Sequence, residues 1–250
     1  MSTAHVQSPI ALQLRDCEFE DDATPLEYVG HWDKVGGCAE IINTGSSAMI
    51  TFPNRNKKPY IIGGPLKQKF IFEQIHFHWG DCNDFGCEHL LDGNTYSMEG
   101  HLVHYNSKYK NFQEAVDKPD GLAVTGFFFQ AAGEKDCVEF RKISDAVERV
   151  EKTNSKARVT SDCLSFLKLQ ELNKHYYSYR GSLTTPPYFA SVQWIVYRTP
   201  IYVSEKQIAA FRSLRSQDGG KCIVNNYRDI QQPVNNPKII FTRNVLKSKL

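Results

Sequence analysis

Short stretches rich in β-branched and aromatic residues recur along the chain, separated by segments rich in Gly, Pro, Asn and Asp. Such stretches bounded by turn residues are typical of strands, whereas helical patterns are few. The clearest predicted strands span 48–52, 70–79, 97–105, 123–130 and 191–197, and the predicted helices span 111–116, 143–150, 162–169 and 204–214. The pattern therefore predicts a mostly β fold, one domain over residues 1–250 with a few short peripheral helices.

Composition and charge exclude some partners. The net charge is only +2, and the basic residues are scattered, so nucleic acid is not an expected partner. Residues 1–10 hold no apolar core of a secretory signal, and the apolar clusters elsewhere are too short to span a bilayer. We therefore expect a cytoplasmic protein without a membrane partner, and the sequence makes no prediction of the oligomeric state.

The cysteines and the C-terminus bear on the compartment. Seven cysteines cannot all pair within one chain, so free thiols in a reducing compartment are expected. Cys82 and Cys87 flank a short turn, where a redox or metal-binding pair is the alternative. The chain ends in Ser248-Lys249-Leu250, which has the form of a peroxisomal import signal. Peroxisomal import and an ordinary basic tail are both compatible with this ending.

Two histidines lie one residue apart in the predicted strand 70–79. Because side chains alternate between the faces of a strand, His76 and His78 point the same way, about 7 Å apart along the strand. The same alternation predicts that Phe70, Phe72 and Gln74 share their face. Two imidazoles at this spacing can converge on one ion if a neighbouring strand supplies a third ligand.

The segment "EGHLVHYN" at 99–106 offers that ligand. Alternation places Glu99 and His101 on one face and His104 on the other. Three neutral histidines suit Zn²⁺, and three protein ligands leave a fourth position open, as in catalytic zinc sites. Gln74 and Glu99 each precede a ligand by two residues on the same face, where they can accept the other ring N–H. The alternative is a set of hydrogen-bonded core histidines, which is the reading we prefer for His104.

Several motifs, in order along the chain, accompany the histidines. They are "QSPI" (7–10), "GPL" (64–66), "HFHW" (76–79), "EH" (88–89), "EGHLVHYN" (99–106), "PDGLAV" (119–124), "GSLTTPP" (181–187), "VQWIVY" (192–197) and "NNYR" (225–228). Together they resemble the α-class carbonic anhydrases over nearly the whole chain. The resemblance implies a large central, twisted, mainly antiparallel β-sheet with a zinc ion at the floor of a cleft. It also implies reversible hydration of CO₂ to bicarbonate and a proton by zinc-bound hydroxide.

The resemblance also implies roles for individual residues. His76, His78 and His101 are the zinc ligands, oriented by Gln74, Glu99 and the backbone of Asn226. Thr184 and Glu88 form the pair that directs the nucleophile: an ionised carboxylate only accepts hydrogen bonds, so the threonine must donate to it. Sulfonamide-type inhibitors are expected to bind. The expected substrate pocket consists of Val103, Val124, Leu183, Thr185, Val192 and Trp194.

Three positions depart from the family pattern, and the N-terminal segment before Gln7 is shorter than the family usually has. Ser46 occupies the place of the histidine that ferries protons in fast members, and a serine hydroxyl does not titrate near neutrality. Met49 is apolar where the family has a polar residue, and Tyr188 follows the prolines where exported members often have a paired cysteine. Because Ser46 cannot carry protons as a histidine does, we expect proton export to limit turnover. The alternatives are a weakly active or non-catalytic relative used as a binding module, and an unrelated metal hydrolase.

Overall fold

The computed structural model describes residues 6–21, 23–34, 37–171, 175–218, 220–233 and 237–243. Within these ranges the protein is mostly β, as the sequence predicts. No helix in the described part of the chain is both long and apolar enough to cross a membrane. The C-terminal Ser248-Lys249-Leu250 lies outside the described residues.

The strands are numbered in chain order. They are β1 (Ala11–Leu12), β2 (Glu18–Asp21), β3 (Glu27–Val29), β4 (Cys38–Asn43), β5 (Ala48–Thr51), β6 (Tyr60–Gly63), β7 (Leu66–Trp79), β8 (Leu90–Leu91), β9 (Met98–Asn106), β10 (Leu122–Ala131), β11 (Lys156–Thr160), β12 (Tyr176–Gly181), β13 (Val192–Tyr197), β14 (Ile201–Val203) and β15 (Ile240–Arg243).

One large sheet dominates the described part of the chain. Its strand order is β11-β4-β5-β7-β9-β10-β13-β12-β15-β2, with β14 beside β10, and with β6 joining β3 to β7. Most neighbours are antiparallel, but β10 runs parallel to β13 and β14, and β15 runs parallel to β2. The expected large, mainly antiparallel sheet is confirmed, with these parallel pairs as an addition. The strands β7 and β9 lie near its middle, so both edges of each are paired with neighbouring strands.

The helices are short and lie outside the sheet, as predicted. The α-helices are α1 (Phe112–Ala115), α2 (Arg141–Val147), α3 (Lys168–Glu171) and α4 (Glu205–Arg212), and 3₁₀ turns span Leu14–Asp16, Glu148–Val150 and Cys163–Leu167. Helix α4 begins with a capping box, in which the Ser204 hydroxyl accepts from the Gln207 N–H while the Gln207 side chain accepts from the Ser204 N–H. All seven cysteines are free in the structure.

Two apolar clusters lie on the two faces of the sheet. One cluster contains Phe70, Phe72, Ile75 and Phe77, and the other packs against Ile71. The prediction that Phe70 and Phe72 share a face with His76 is therefore wrong. The register of β7 against β9 shifts between Phe72 and Gln74, where a β-bulge adds one residue and reverses the alternation. C-terminal to this bulge, the predicted alternation holds.

Candidate metal centre

Three histidines from two adjacent strands meet on one face of the sheet. His76 lies directly opposite His101 in the antiparallel register of β7 and β9, and His78 is two residues further along β7. The ring centroids are 5.0 Å apart for His76 and His78, 5.4 Å for His76 and His101, and 4.7 Å for His78 and His101. Their ligand nitrogens lie within 4.8 Å of one another. The strands thus bring together the three residues that the sequence predicts as ligands.

Each of the three rings is oriented by one hydrogen bond. His76 Nδ1 lies 2.9 Å from Gln74 Oε1, His78 Nδ1 lies 2.9 Å from the carbonyl oxygen of Asn226, and His101 Nε2 lies 2.7 Å from Glu99 Oε1. These are the three acceptors named from the sequence. Because each acceptor engages one ring nitrogen, it fixes the tautomer and leaves the other nitrogen free to bind a metal ion.

The donor set fits Zn²⁺. His78 is buried, and its Nε2 has no hydrogen-bond partner within the described residues. A buried polar atom without a partner is destabilising, so this nitrogen is available to a ligand. Three imidazole nitrogens with one further position open match a catalytic zinc site.

The electrostatics favour neutral imidazoles at His76 and His78. Burial, reinforced by the neighbouring histidines, lowers the pKa of His76 well below its usual range, and burial also lowers the pKa of His78. Burial opposes ionisation of Glu99, but the charges of His89 and His101 outweigh it and lower the Glu99 pKa. Burial lowers the pKa of His101, yet the charge and hydrogen bond of Glu99 prevail and raise it. A more basic imidazole is a stronger metal ligand.

Glu88 lies beside the histidines. Its Oε1 accepts from the Arg228 N–H at 2.8 Å and lies 3.3 Å from His78 Nδ1. Its Oε2 is buried, has no hydrogen-bond partner in the described chain, and lies 3.7 Å from His101 Nδ1. Thr184 is also buried, but the hydrogen bond from its hydroxyl to Glu88 that the resemblance implies is not formed among the described residues. The structure therefore leaves one carboxylate oxygen available as an acceptor.

The chain of contacts behind Glu99 was not predicted. His89 Nδ1 lies 2.7 Å from Glu99 Oε1, and the backbone N–H groups of Glu88 and His89 donate to Glu99 Oε2 at 2.9 and 2.8 Å. His89 Nε2 lies 2.7 Å from the Tyr179 hydroxyl, which donates to Ser8 Oγ at 2.9 Å. His89 lies in a loop, so the alternation of side chains along a strand does not predict its role. Its place beside Glu88 in the "EH" pair is the only indication in the sequence.

An apolar wall adjoins the histidines. Val124 of β10 pairs with Val103 on one side and with Trp194 on the other, so the three lie in one row across the sheet. The Trp194 ring lies 4.8 Å from that of His101. Val192 is buried in the same cluster, and Leu183 is half-buried against it. Of the predicted pocket residues, Thr185 alone is exposed.

The turn that carries Ser46 lies between β4 and β5. Ser46 is exposed, and its hydroxyl lies 3.2 Å from that of Thr44. Its carbonyl accepts from the side-chain amide of Asn226 at 2.9 Å. Met49, which follows on β5, lies directly opposite His76 and is partly exposed. The turn is therefore linked both to the strand of the histidines and to the residue that orients His78.

Comparison with known proteins agrees with this geometry. The sequence model of the eukaryotic-type carbonic anhydrases matches residues 1–243. The chain is 38% identical to carbonic anhydrase 7 of Homo sapiens over 90% of this chain and 84% of that protein. It is 37% identical to carbonic anhydrase 1 of Monodelphis domestica, over 91% and 86% of the two chains, and 37% identical to the mitochondrial carbonic anhydrase 5A of Homo sapiens, over 93% and 75%.

The chain belongs to the eukaryotic-type carbonic anhydrase family. It is an enzyme of that class, whose reaction is the hydration of carbon dioxide.

Proposed function

We propose that the protein hydrates CO₂ reversibly to bicarbonate and a proton, using Zn²⁺ held by His76, His78 and His101. The observation that carries the proposal is the set of three converging imidazole nitrogens that their orienting acceptors leave free. When bound, Zn²⁺ supplies the Lewis acidity that turns a water molecule into a nucleophile at neutral pH.

Thr184 and Glu88 direct the nucleophile in this proposal. The backbone N–H of Arg228 occupies Glu88 Oε1, while Oε2 is buried and has no partner within the described residues. A hydroxyl that donates to Oε2 keeps its lone pairs for accepting. Thr184 then accepts a hydrogen bond from the attacking water, which turns an oxygen lone pair toward the carbon of CO₂. This orientation restricts the reactants to a productive geometry.

The apolar wall receives the substrate. CO₂ has no net dipole and gains little from polar groups, so the row formed by Val103, Val124 and Trp194 provides a surface that excludes water from around it. Leu183 completes the wall from the loop that carries Thr184.

Proton export limits turnover in this proposal. Each hydration releases one proton, which must leave the cleft before the next cycle. At the position of the usual shuttle the exposed side chain is Ser46, and the neighbouring side chains on the turn are Thr44 and Ser47. None of these hydroxyls titrates near neutral pH, so buffer molecules must accept the proton.

Stopped-flow measurement of CO₂ hydration against buffer concentration tests the proposal. We expect turnover to rise with an imidazole-type buffer and to be blocked by an aromatic sulfonamide. High turnover that does not depend on buffer would contradict the proton-export step alone. A folded, zinc-loaded protein without hydratase activity would contradict the catalytic proposal and favour a binding role for the same fold.

A further inference from the structure

The backbone ladder between β5 and β7 ends at the first metal-ligand candidate. The two strands pair at Ile50 with Ile75 and at Met49 with His76, and their pairing stops there. On the other side of β7, pairing with β9 continues through Phe77 to Trp79. In a strand the N–H and C=O of one residue point to the same side. The N–H and C=O groups of Phe77 that face β5 therefore need partners other than a strand.

The hydroxyl of Ser47 supplies a partner to both groups of Phe77. Ser47 Oγ donates to the Phe77 carbonyl at 2.6 Å and accepts from the Phe77 N–H at 3.1 Å. The Ala48 carbonyl is a second acceptor for this hydroxyl, at the longer distance of 3.3 Å. The side chain of Ser47 thus makes the reciprocal pair of bonds that a strand residue would make with its backbone.

Asn226 likewise supplies hydrogen bonds in place of a neighbouring strand, toward the C-terminal end of β7. Its amide donates to the Phe77 carbonyl at 3.1 Å and to the Ser46 carbonyl at 2.9 Å. Its Oδ1 accepts from the Trp79 N–H at 2.7 Å, and its backbone carbonyl accepts from His78 Nδ1 at 2.9 Å. Ser47 and Asn226 together hold the one stretch of β7 that carries both of its histidines.

We propose that Ser47 is a positioning residue of the metal centre. It fixes the backbone of Phe77 and thereby the directions in which His76 and His78 leave the strand. This inference rests on the proposed zinc site, but it assigns a task to a side chain that touches neither histidine ring. Removing a residue that hydrogen-bonds to a metal ligand typically lowers metal affinity by about 10- to 100-fold. Because Ser47 acts through the backbone, we place its effect at the lower end, about tenfold.

Ser47→Ala tests this role, with Ser47→Thr and Ser46→Ala as matched variants. Thr keeps the hydroxyl. Ser46→Ala removes a hydroxyl from the adjacent residue, whose contact to Asn226 is made by its backbone carbonyl. The first measurement is the rate at which each zinc-loaded protein loses Zn²⁺ to an excess of chelator. We expect Ser47→Ala to release zinc about tenfold faster than the parent, and the two matched variants to stay within about twofold.

The second measurement separates positioning from general stability. A ligand that binds only the folded state raises the melting temperature according to its affinity. We expect Ser47→Ala to shrink the zinc-induced rise in melting temperature. An equal loss of stability with and without zinc would show a structural role only and would overturn the inference. If the Ala variant does not fold, Ser47→Cys keeps the size with a weaker donor, and we expect an intermediate release rate.

The outcomes distinguish this inference from the proposed function. A parent protein that binds one zinc per chain, with a Ser47→Ala release rate within twofold of it, would overturn the positioning role and leave the zinc site intact. A parent protein that takes up no zinc would overturn both.

Discussion

Glu99 Oε1 accepts a hydrogen bond from His101 Nε2 at 2.7 Å, and both side chains are buried. The other oxygen of the same carboxylate takes two backbone N–H groups, from Glu88 and His89. With His89 Nδ1, which lies 2.7 Å from Oε1, four donors surround one buried anion, which holds it ionised and fixed in place. This arrangement makes the orientation of His101 depend on a charge rather than on packing alone.

Replacing Glu99 by Gln tests that dependence. The amide has nearly the same shape, but it is neutral and gives up one acceptor oxygen, so it presents a donor to groups that already donate. We expect zinc affinity to fall by about 10- to 100-fold, measured by competition with a chelator of known affinity. Glu73→Gln is the matched control, because Glu73 lies on β7 and pairs with Lys58 at the surface. Equal affinities for the two variants would contradict the role of Glu99.

Introducing a histidine at the exposed turn tests the account of proton export. We expect Ser46→His to raise turnover at low buffer concentration several-fold, because imidazole titrates near neutral pH and hydroxyl groups do not. The gain should disappear when imidazole-type buffer is added in excess, since both routes then carry the proton. Stopped-flow hydration at two buffer concentrations measures this. An unchanged rate at low buffer would show that another group already exports the proton.

The pair His31 and His104 predicts how stability depends on pH. Their Nε2 atoms lie 2.9 Å apart in the core, behind the sheet from the metal centre. Burial lowers the pKa of His104 to about 3 and, with the charges of His104 and Arg55, lowers that of His31 well below 6.5. The unfolded chain therefore binds more protons than the folded one between those values. The free energy of unfolding is therefore not reduced by these histidines above pH 6.5, and it decreases as the pH falls from 6.5 toward 3.

Urea unfolding between pH 6 and 4 measures this effect. Each such histidine contributes a slope of about 1.4 kcal/mol per pH unit to the free energy of unfolding. We expect His104→Asn to flatten the pH dependence by about that amount, independently of its overall loss of stability. A variant whose pH dependence parallels that of the parent would show that His104 is not held neutral in the folded state.

A larger side chain in the apolar wall should weaken the reaction with CO₂ and leave zinc binding nearly unchanged. Val124 is buried between Val103 and Trp194, so Val124→Phe places a ring where the proposed substrate lies. We expect kcat/KM for CO₂ to fall at least about tenfold while zinc affinity stays within about threefold. Val138→Phe is the control, because Val138 is 63% exposed. Equal losses of zinc and activity would place Val124 among the residues that support the ligands instead.

The alternation of side chains within single strands is sufficient to predict part of the site. The spacing of His76 and His78, and the positions of Gln74 and Glu99 two residues before a ligand, depend only on alternation within one strand. The same rule failed at Phe70 and Phe72, because the bulge after Phe72 arises from the register with β9. Such a register belongs to the pair of strands, and the sequence of one strand does not determine it.

Contacts between distant segments required either the resemblance or the structure. Asn226 reaches His78 across 148 positions, and its role was expected only because the "NNYR" segment matches the family. His89 lies in a loop, and Ser47 acts through the backbone of Phe77. Neither has a periodic signal, since the first depends on loop conformation and the second on where the pairing of β5 ends.

Titrating Zn²⁺ into the metal-free protein while following CO₂ hydration tests the central claim most directly. The account predicts that activity is absent without metal, rises in proportion to added zinc and levels off at one ion per chain. It also predicts that His78→Ala abolishes this response. Full activity in the metal-free protein, or one zinc bound per chain with no hydration, would contradict the account.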